Sequence, residues 1–371
     1  MNTRDFLFKQ NSCIHFGVGF TDKIGEILAK TSSSAIIACD PFLKSVSLKL
    51  KEECPQIKDI FSEIEPNPQL SGVMKLLILT ALNKCDTIIA IGGGSVLDTA
   101  KFVKGVYNFK PMDIPELLKY FRQEIPFNAT SPIKIIAVPS TAGTGAEVTS
   151  VSVVSHGDIK NTINSPVFLP DICVVDPALT LTVPPKATMI TGLDALSHAL
   201  ESFWNINNQP ITDLYATEAA KHIFSNLIKA YEKGNQIDSR VGMSYGALLA
   251  GLAFSQTRTA GCHAASYPLS MLFHLPHGEA CAFTLAGFIR LNNDDRLESF
   301  AREVGFQNTT EMANYVVSLQ RLAGLRVTIE DLGISDTYHL SKLCVEHPLM
   351  KFNPVQPSIS QMQELFRSLG K

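Results

Sequence analysis

The sequence has no pair of cysteines at CxxC spacing. Its eight cysteines are scattered, at positions 13, 39, 54, 85, 173, 262, 281 and 344 of 371. That scatter argues against a disulfide framework and against a zinc–cysteine module, and fits reduced thiols in a cytosol. Long apolar runs are missing too. The longest, around "GALLAGLAF", is far short of a bilayer span, and the opening "MNTRDFLFKQ" has no apolar leader segment. The expectation is a cytoplasmic protein with no membrane partner. Neither sign of charge is in excess: the net charge is -3 with 18% charged residues, and no basic stretch marks a nucleic-acid footprint. Internal repeats and low-complexity segments are also lacking.

What is present is length enough for two cores. The first half alternates short β-branched runs with helical patterns: "AIIACD" (35–40), "TIIAIGGG" (87–94), "KIIAVPS" (134–140) and "DICVVDP" (171–177). Nearly continuous apolar character in such runs predicts parallel strands buried on both faces and covered by helices. After "DPALTLTVPP" the β-rich runs stop and 3.6-residue periodicity takes over, as in "TDLYATEAAKHIFSNLIKAYEKG". Pro184 and Pro185 mark the change. An α/β domain over residues 1–180 and a helical domain over 181–371 are expected. The Pro-punctuated stretch 107–132 reads as a flap or a surface excursion.

"TIIAIGGGSVLDTAKFV" reads as strand, Gly92-Gly93-Gly94-Ser95 turn and helix, an arrangement that aims free backbone N–H groups and a positive helix end at a phosphate. It is neither GxGxxG nor a P-loop, and a plain strand-to-helix turn would read the same way. A second loop, "PSTAGTGAEVTS" (139–150), offers the Thr141, Thr144 and Thr149 hydroxyls beside Gly143 and Gly145. Both loops follow buried strands, so both would face the crevice where open α/β sheets bind ligands. Asp40 ends another strand, placed to accept from a ribose 2'-hydroxyl and to repel a 2'-phosphate. That favours NAD(H) over NADP(H), although an Asp after a strand also serves as a turn former or N-cap.

In "TGLDALSHALESFW" (191–204), Asp194 and His198 are four apart on a helical pattern and point the same way. In "GCHAASYPLSMLFHLPHGEA" (261–280), His263 and His277 lie either side of Tyr267, and a turn would bring them together. One Asp and three His would bind a divalent transition metal with positions open for substrate. Each taken singly also reads as an ordinary helix residue, and His274 competes for a place in the set. His15, His156, His222, His339 and His347 have no partner spacing.

Six ordered motifs, "EPNPQL", "IGGGSVLDTAKF", "PSTAGTGAEVTS", "LPDICVVDPALT", "TGLDALSHALESFW" and "HAASYPLSMLFHLPHG", resemble the iron-containing (group III) alcohol dehydrogenases over nearly the whole chain. The resemblance implies a dehydroquinate synthase-like architecture. This is an α/β N-terminal dinucleotide-binding domain with a Rossmann-like parallel sheet, then an all-α C-terminal metal-binding domain, with the active site between them. It implies Asp194, His198, His263 and His277 as metal ligands, with Fe(II) the family's metal, though such a donor set also suits Zn(II). It implies Asp40, Asn67, Gly92, Gly93, Gly94, Ser95, Asp98, Thr141, Thr144, Lys160 and Leu179 as dinucleotide contacts, and a homodimer.

One position departs from the family. A histidine often stands four residues after the third ligand, and here Tyr267 stands there, either donating a proton or packing as an aromatic. The run "SQTRTAGCHAASYPLS" also resembles the subgroup acting as phosphonoacetaldehyde reductase (2-hydroxyethylphosphonate dehydrogenase). Arg258 suits bidentate recognition of a phosphonate, and equally a surface ion pair or helix cap; Lys351 is a second cation. The expected reaction is NAD(P)H-dependent interconversion of an aldehyde and a primary alcohol, with the metal acting as Lewis acid. Simple alcohols, lactaldehyde and maleylacetate are alternative substrates. A dehydroquinate synthase-type lyase and a nucleotide-binding protein without turnover are alternative classes.

Overall fold

The computed structural model describes residues 5–370. They fall into two compact units. One comprises Gln10–Thr141 with Gly145–Thr180; the other comprises Ala142–Thr144 and the chain from Leu181 onward, together with residues 5–9. The division is therefore not a single cut in the chain.

In the first unit the strands are β1 (Cys13–Phe16), β2 (Ala35–Cys39), β3 (Ile57–Phe61), β4 (Thr87–Gly92), β5 (Lys134–Pro139), β6 (Val151–His156), β7 (Ile159–Asn164) and β8 (Ile172–Val175). Six form a parallel sheet in the order β1-β8-β5-β4-β2-β3, while β6 and β7 pair as an antiparallel hairpin. β2 and β4 are buried along their whole length, as continuous apolar runs require. β1 and β3 carry no such signature in the sequence because they are the sheet's edges. There "CIHF" and "IKDIF" keep exposed and half-exposed positions. From β2 the chain moves outward to β3, and from β4 it moves the other way to β5. The order thus reverses between β2 and β4, which makes their carboxyl ends the place for a ligand.

The stretch 107–132 is packed rather than free. It holds a helix, Ile114–Phe121, capped by Asp113, whose side chain accepts the Glu116 N–H, and it buries Leu117, Tyr120 and Phe121. Phe127 adds edge contacts to Phe102 and Phe168, with ring centroids 5.8 and 4.8 Å apart.

The second unit is helical. Its first helix, Pro185–Trp204, starts with Pro at its first turn, where the missing N–H would have no partner in any case. Arg240 fixes that start by donating to the Thr188 hydroxyl (2.8 Å) and the Val183 carbonyl (3.0 Å). Helices Pro210–Glu232, Ile237–Thr257, Gly261–Phe273 and His277–Leu291 come next in the chain. No described helix is long and apolar enough to cross a membrane.

One buried charge cluster underlies the sheet unit. The Lys101 side chain, on helix Gly94–Val106, has no solvent exposure; Nζ donates to the Val151 carbonyl (2.8 Å) and the Thr149 hydroxyl (3.2 Å) and lies 3.8 Å from Asp98. Burial pushes the Lys101 pKa down to about 8 and the Asp98 and Glu147 pKa values up to about 6 and about 7. A carboxyl whose folded pKa is raised binds protons that the unfolded chain has released, so stability falls as pH rises through that window. Glu147→Gln should therefore flatten the decline in thermal midpoint between about pH 5 and pH 7, read by unfolding scans. An unchanged slope would mean that Glu147 does not titrate there.

Candidate functional site

At the carboxyl ends of β2 and β4, Asp40 and the glycine turn meet. The Gly93 N–H donates to Asp40 Oδ2 at 2.8 Å, and the Ser140 N–H at the end of β5 donates to the Gly92 carbonyl at 3.0 Å. Partial burial raises the Asp40 pKa, and the hydrogen bonds from Gly93 and Ser140 oppose that rise. A Cβ on Gly93 would meet Thr141 Oγ1 at 3.9 Å and Asp40 Oδ2 at 4.0 Å, ordinary van der Waals contact, so both polar side chains border the turn. Helix Gly94–Val106 begins there, with Gly94 and Ser95 in its first turn and Asp98 one turn on. Asn67, at φ 56°, accepts from Lys160 Nζ at 3.1 Å although 93 residues separate them. Leu179 packs against the core on one face of the sheet. Thr144 groups with the helical unit, apart from Thr141. The glycine turn, the helix start and an acceptor on the neighbouring strand fit a dinucleotide.

In the helical unit, Asp194, His198 and Glu201 are spaced four and three apart on one face of helix Pro185–Trp204, and all three are buried. His263 comes from helix Gly261–Phe273, and His277 opens helix His277–Leu291. Gly278 permits that opening to sit against the first helix, since a Cβ there would lie 2.6 Å from the Ile190 carbonyl and 3.1 Å from Asp194 Cβ. His263 Nε2 lies 3.0 Å from His198 Nε2 and 3.8 Å from Asp194 Oδ1, and His277 Nε2 lies 4.0 Å from the same oxygen.

Glu201 sets the tautomer. Its carboxylate accepts a short hydrogen bond from His263 Nδ1 and the backbone N–H groups of Cys262 and His263. With Nδ1 facing Glu201, Nε2 is the ring nitrogen that faces the centre and would ligate a metal. Phe254 stacks on the His198 ring at 4.1 Å. Burial drives the His198 pKa down to about 4, against the pull of Asp194. Burial disfavours charge on His263 too, but Cys281 and Glu201 outweigh it and hold its pKa well above the ordinary value. The three imidazoles, with a hydrogen bond from Cys281, likewise outweigh burial at Asp194 and lower its pKa. Asp194 Oδ1 is buried with no hydrogen-bond partner. An orphaned carboxylate oxygen among converging ring nitrogens fits a divalent transition metal.

Arg258 stands after helix Ile237–Thr257 at φ 70°, a strained value for a non-glycine residue. Asn205, just past the ligand-bearing helix, holds it by donating to its carbonyl at 3.1 Å, while Ile206 donates to the Phe352 carbonyl. The Arg258 guanidinium lies 5.8 Å and Lys351 Nζ 5.1 Å from the centroid of the Phe352 ring. Tyr267 stacks on His347 at 4.5 Å.

Three residues of this neighbourhood carry little signal of their own in the sequence. Glu201 continues the Asp194–His198 face, so its one signal is the spacing. Cys281 lies four residues after His277. His347 reaches Tyr267 only through the tertiary fold.

Residues 11–177 match the family described as "Iron-containing alcohol dehydrogenase", and residues 188–370 match "Fe-containing alcohol dehydrogenase family, C-terminal". Long-chain-alcohol dehydrogenase 1 of Geobacillus thermodenitrificans is 32% identical over 334 residues, covering 87% of this chain and 83% of its own. The crystal structure of sulfoacetaldehyde reductase from Bifidobacterium kashiwanohense in complex with NAD+ is 32% identical, with TM-score 0.93 over 99% of each chain. That of a 1,3-propanediol oxidoreductase is 27% identical, with TM-score 0.87 over 98% of this chain and 99% of that one. Two profiles that together span nearly the whole sequence, and relatives at this identity and coverage, establish that the chain belongs to the iron-containing alcohol dehydrogenase family.

Proposed function

We propose that the protein reduces a short aldehyde bearing a phosphonate group, phosphonoacetaldehyde, to 2-hydroxyethylphosphonate, using NADH. The observation that carries this reading is the placement of Arg258. Its backbone is strained, pinned by Asn205 from the end of the helix that bears Asp194 and His198, and a second cation, Lys351, sits against the same Phe352 ring. Two cations at one aromatic suit a compact dianion, and the guanidinium fork matches its oxygens. The similarity to a sulfoacetaldehyde reductase supports a two-carbon aldehyde with an anionic head, and makes the sulfonate a second candidate substrate.

Asp194, His198, His263 and His277 would hold the metal, which when bound supplies Lewis acidity toward a carbonyl oxygen. The dinucleotide supplies the hydride. The rest falls to the chain. Glu201 keeps the His263 lone pair inward, Arg258 and Lys351 orient the anionic head, and Tyr267 holds a phenolic proton beside the His347 ring. Asp40 places a carboxylate where a ribose 2'-hydroxyl would donate and a 2'-phosphate would be repelled, which supports NADH.

Three outcomes are expected. Arg258→Ala should lower kcat/KM for phosphonoacetaldehyde by about 30- to 150-fold, the loss of about 2–3 kcal/mol of charged hydrogen bonding, with little change for propanal. Equal losses on both aldehydes would remove the phosphonate reading. Parallel assays with sulfoacetaldehyde decide between the two heads, since a higher kcat/KM on the sulfonate would reassign the substrate. Asp40→Asn should raise KM for NADH and lower KM for NADPH, and unchanged cofactor discrimination would remove Asp40 from the 2'-position. Glu201→Gln should weaken Zn(II) binding by about 10- to 100-fold in chelator competition, because the group orienting His263 is lost. Unchanged affinity would leave Glu201 a purely structural residue.

A further inference from the structure

Cys281 lies one helical turn beyond His277, so its side chain shares a face with that ligand. The residue is fully buried, and Sγ lies 3.8 Å from His277 Nε2. Ligand atoms of Asp194, His263, His277 and Cys281 all lie within 4.8 Å of one another. Sulfur and nitrogen bound to one ion at about 2.3 and 2.0–2.1 Å are separated by roughly 3.1 Å at a right angle and roughly 3.6 Å at a tetrahedral one, so the 3.8 Å spacing closes by about 0.2–0.7 Å on binding. The second observation is Asp194 Oδ1, deeply buried and aimed into this group without a hydrogen-bond partner.

We propose that Cys281 is a further protein ligand of the metal centre, adding one thiolate sulfur to the oxygen and three nitrogens of Asp194, His198, His263 and His277. The inference rests on the reading of those four as ligands; His198 stands outside the 4.8 Å group and joins the set through its Nε2, 3.0 Å from His263 Nε2. On binding, the Sγ–H bond breaks, its proton passes to solvent and the sulfur lone pair forms the bond to the ion; no oxidation state changes. A thiolate also biases the site toward zinc, cobalt and iron and against magnesium, calcium and manganese. Cys262 is equally buried and adjacent to His263, but it stands outside this group of ligand atoms and serves as the control.

The test is to load the full-length protein with Co(II) and record its absorption spectrum. A thiolate ligand gives a sulfur-to-cobalt charge-transfer band in the near ultraviolet, separate from the visible ligand-field bands. The band is expected in the native protein and in Cys262→Ser, and should vanish in Cys281→Ser while the ligand-field bands persist. Zn(II) affinity by chelator competition should fall at least about 10-fold in Cys281→Ser. Stoichiometric cobalt with no charge-transfer band, or a band that survives Cys281→Ser, overturns the ligand assignment and leaves the four-ligand reading standing. A native protein that takes up no cobalt overturns both.

Discussion

A carboxylate with no solvent contact has to be met by donors, and the arrangement of the helical unit depends on how Glu201 is met. Leaving such a charge unpaired costs several kcal/mol, so its partners are fixed wherever the fold is stable. Those partners are the two N–H groups that open helix Gly261–Phe273 and the Nδ1 of His263. One side chain thereby joins two helices and sets the tautomer of His263. Asn205, the residue just past helix Pro185–Trp204, holds the Arg258 carbonyl, so the chain from 258 to 263 is tied at both ends to that helix and its C-terminal neighbour. The backbone of residue 258 is thereby fixed relative to the helix that carries Asp194 and His198.

The sheet unit uses the same device with a different outcome. Asp40 is half-buried and accepts only one backbone N–H from the glycine turn. A carboxylate has about four acceptor sites, so acceptor capacity is left over at the carboxyl ends of β2 and β4. Beneath that turn, Lys101 is wholly enclosed, and its donors go to Val151 and Thr149. Those contacts anchor the helix that starts at Gly94 to the β6–β7 hairpin. The glycine turn thus opens a helix that is rigidly anchored farther along.

Legibility in the sequence depends on which contacts are local. Asp194 and His198 share a helix face and can be read from spacing; Glu201 continues the same face, but a glutamate on a helix looks like any solvated one until its burial is known. His263 and His277 are joined by a turn whose closeness depends on Gly278, a tertiary fact carried by one small residue. β2, β4, β5 and β8 announce themselves as apolar runs. The edge strands β1 and β3 do not, because a strand covered on fewer sides needs fewer apolar residues. His347 lies 80 positions from Tyr267, and no periodicity connects them.

Arg258 holds the strongest argument for an anionic substrate because it combines two costs. A non-glycine residue at φ 70° carries backbone strain of order 1–3 kcal/mol. A second cation, Lys351, sits at the same aromatic ring; both side chains are exposed, so their mutual repulsion is screened by solvent. Neither cost is offset by a carboxylate ion pair to Arg258 among the described contacts; the ring itself supplies only the weak attraction of a quadrupole for a cation. A glycine at this position would relieve the strain, and a neutral side chain would relieve the repulsion. Under the proposed function an aldehyde with an anionic head would supply the negative charge, so specificity would follow charge rather than the shape of an apolar pocket.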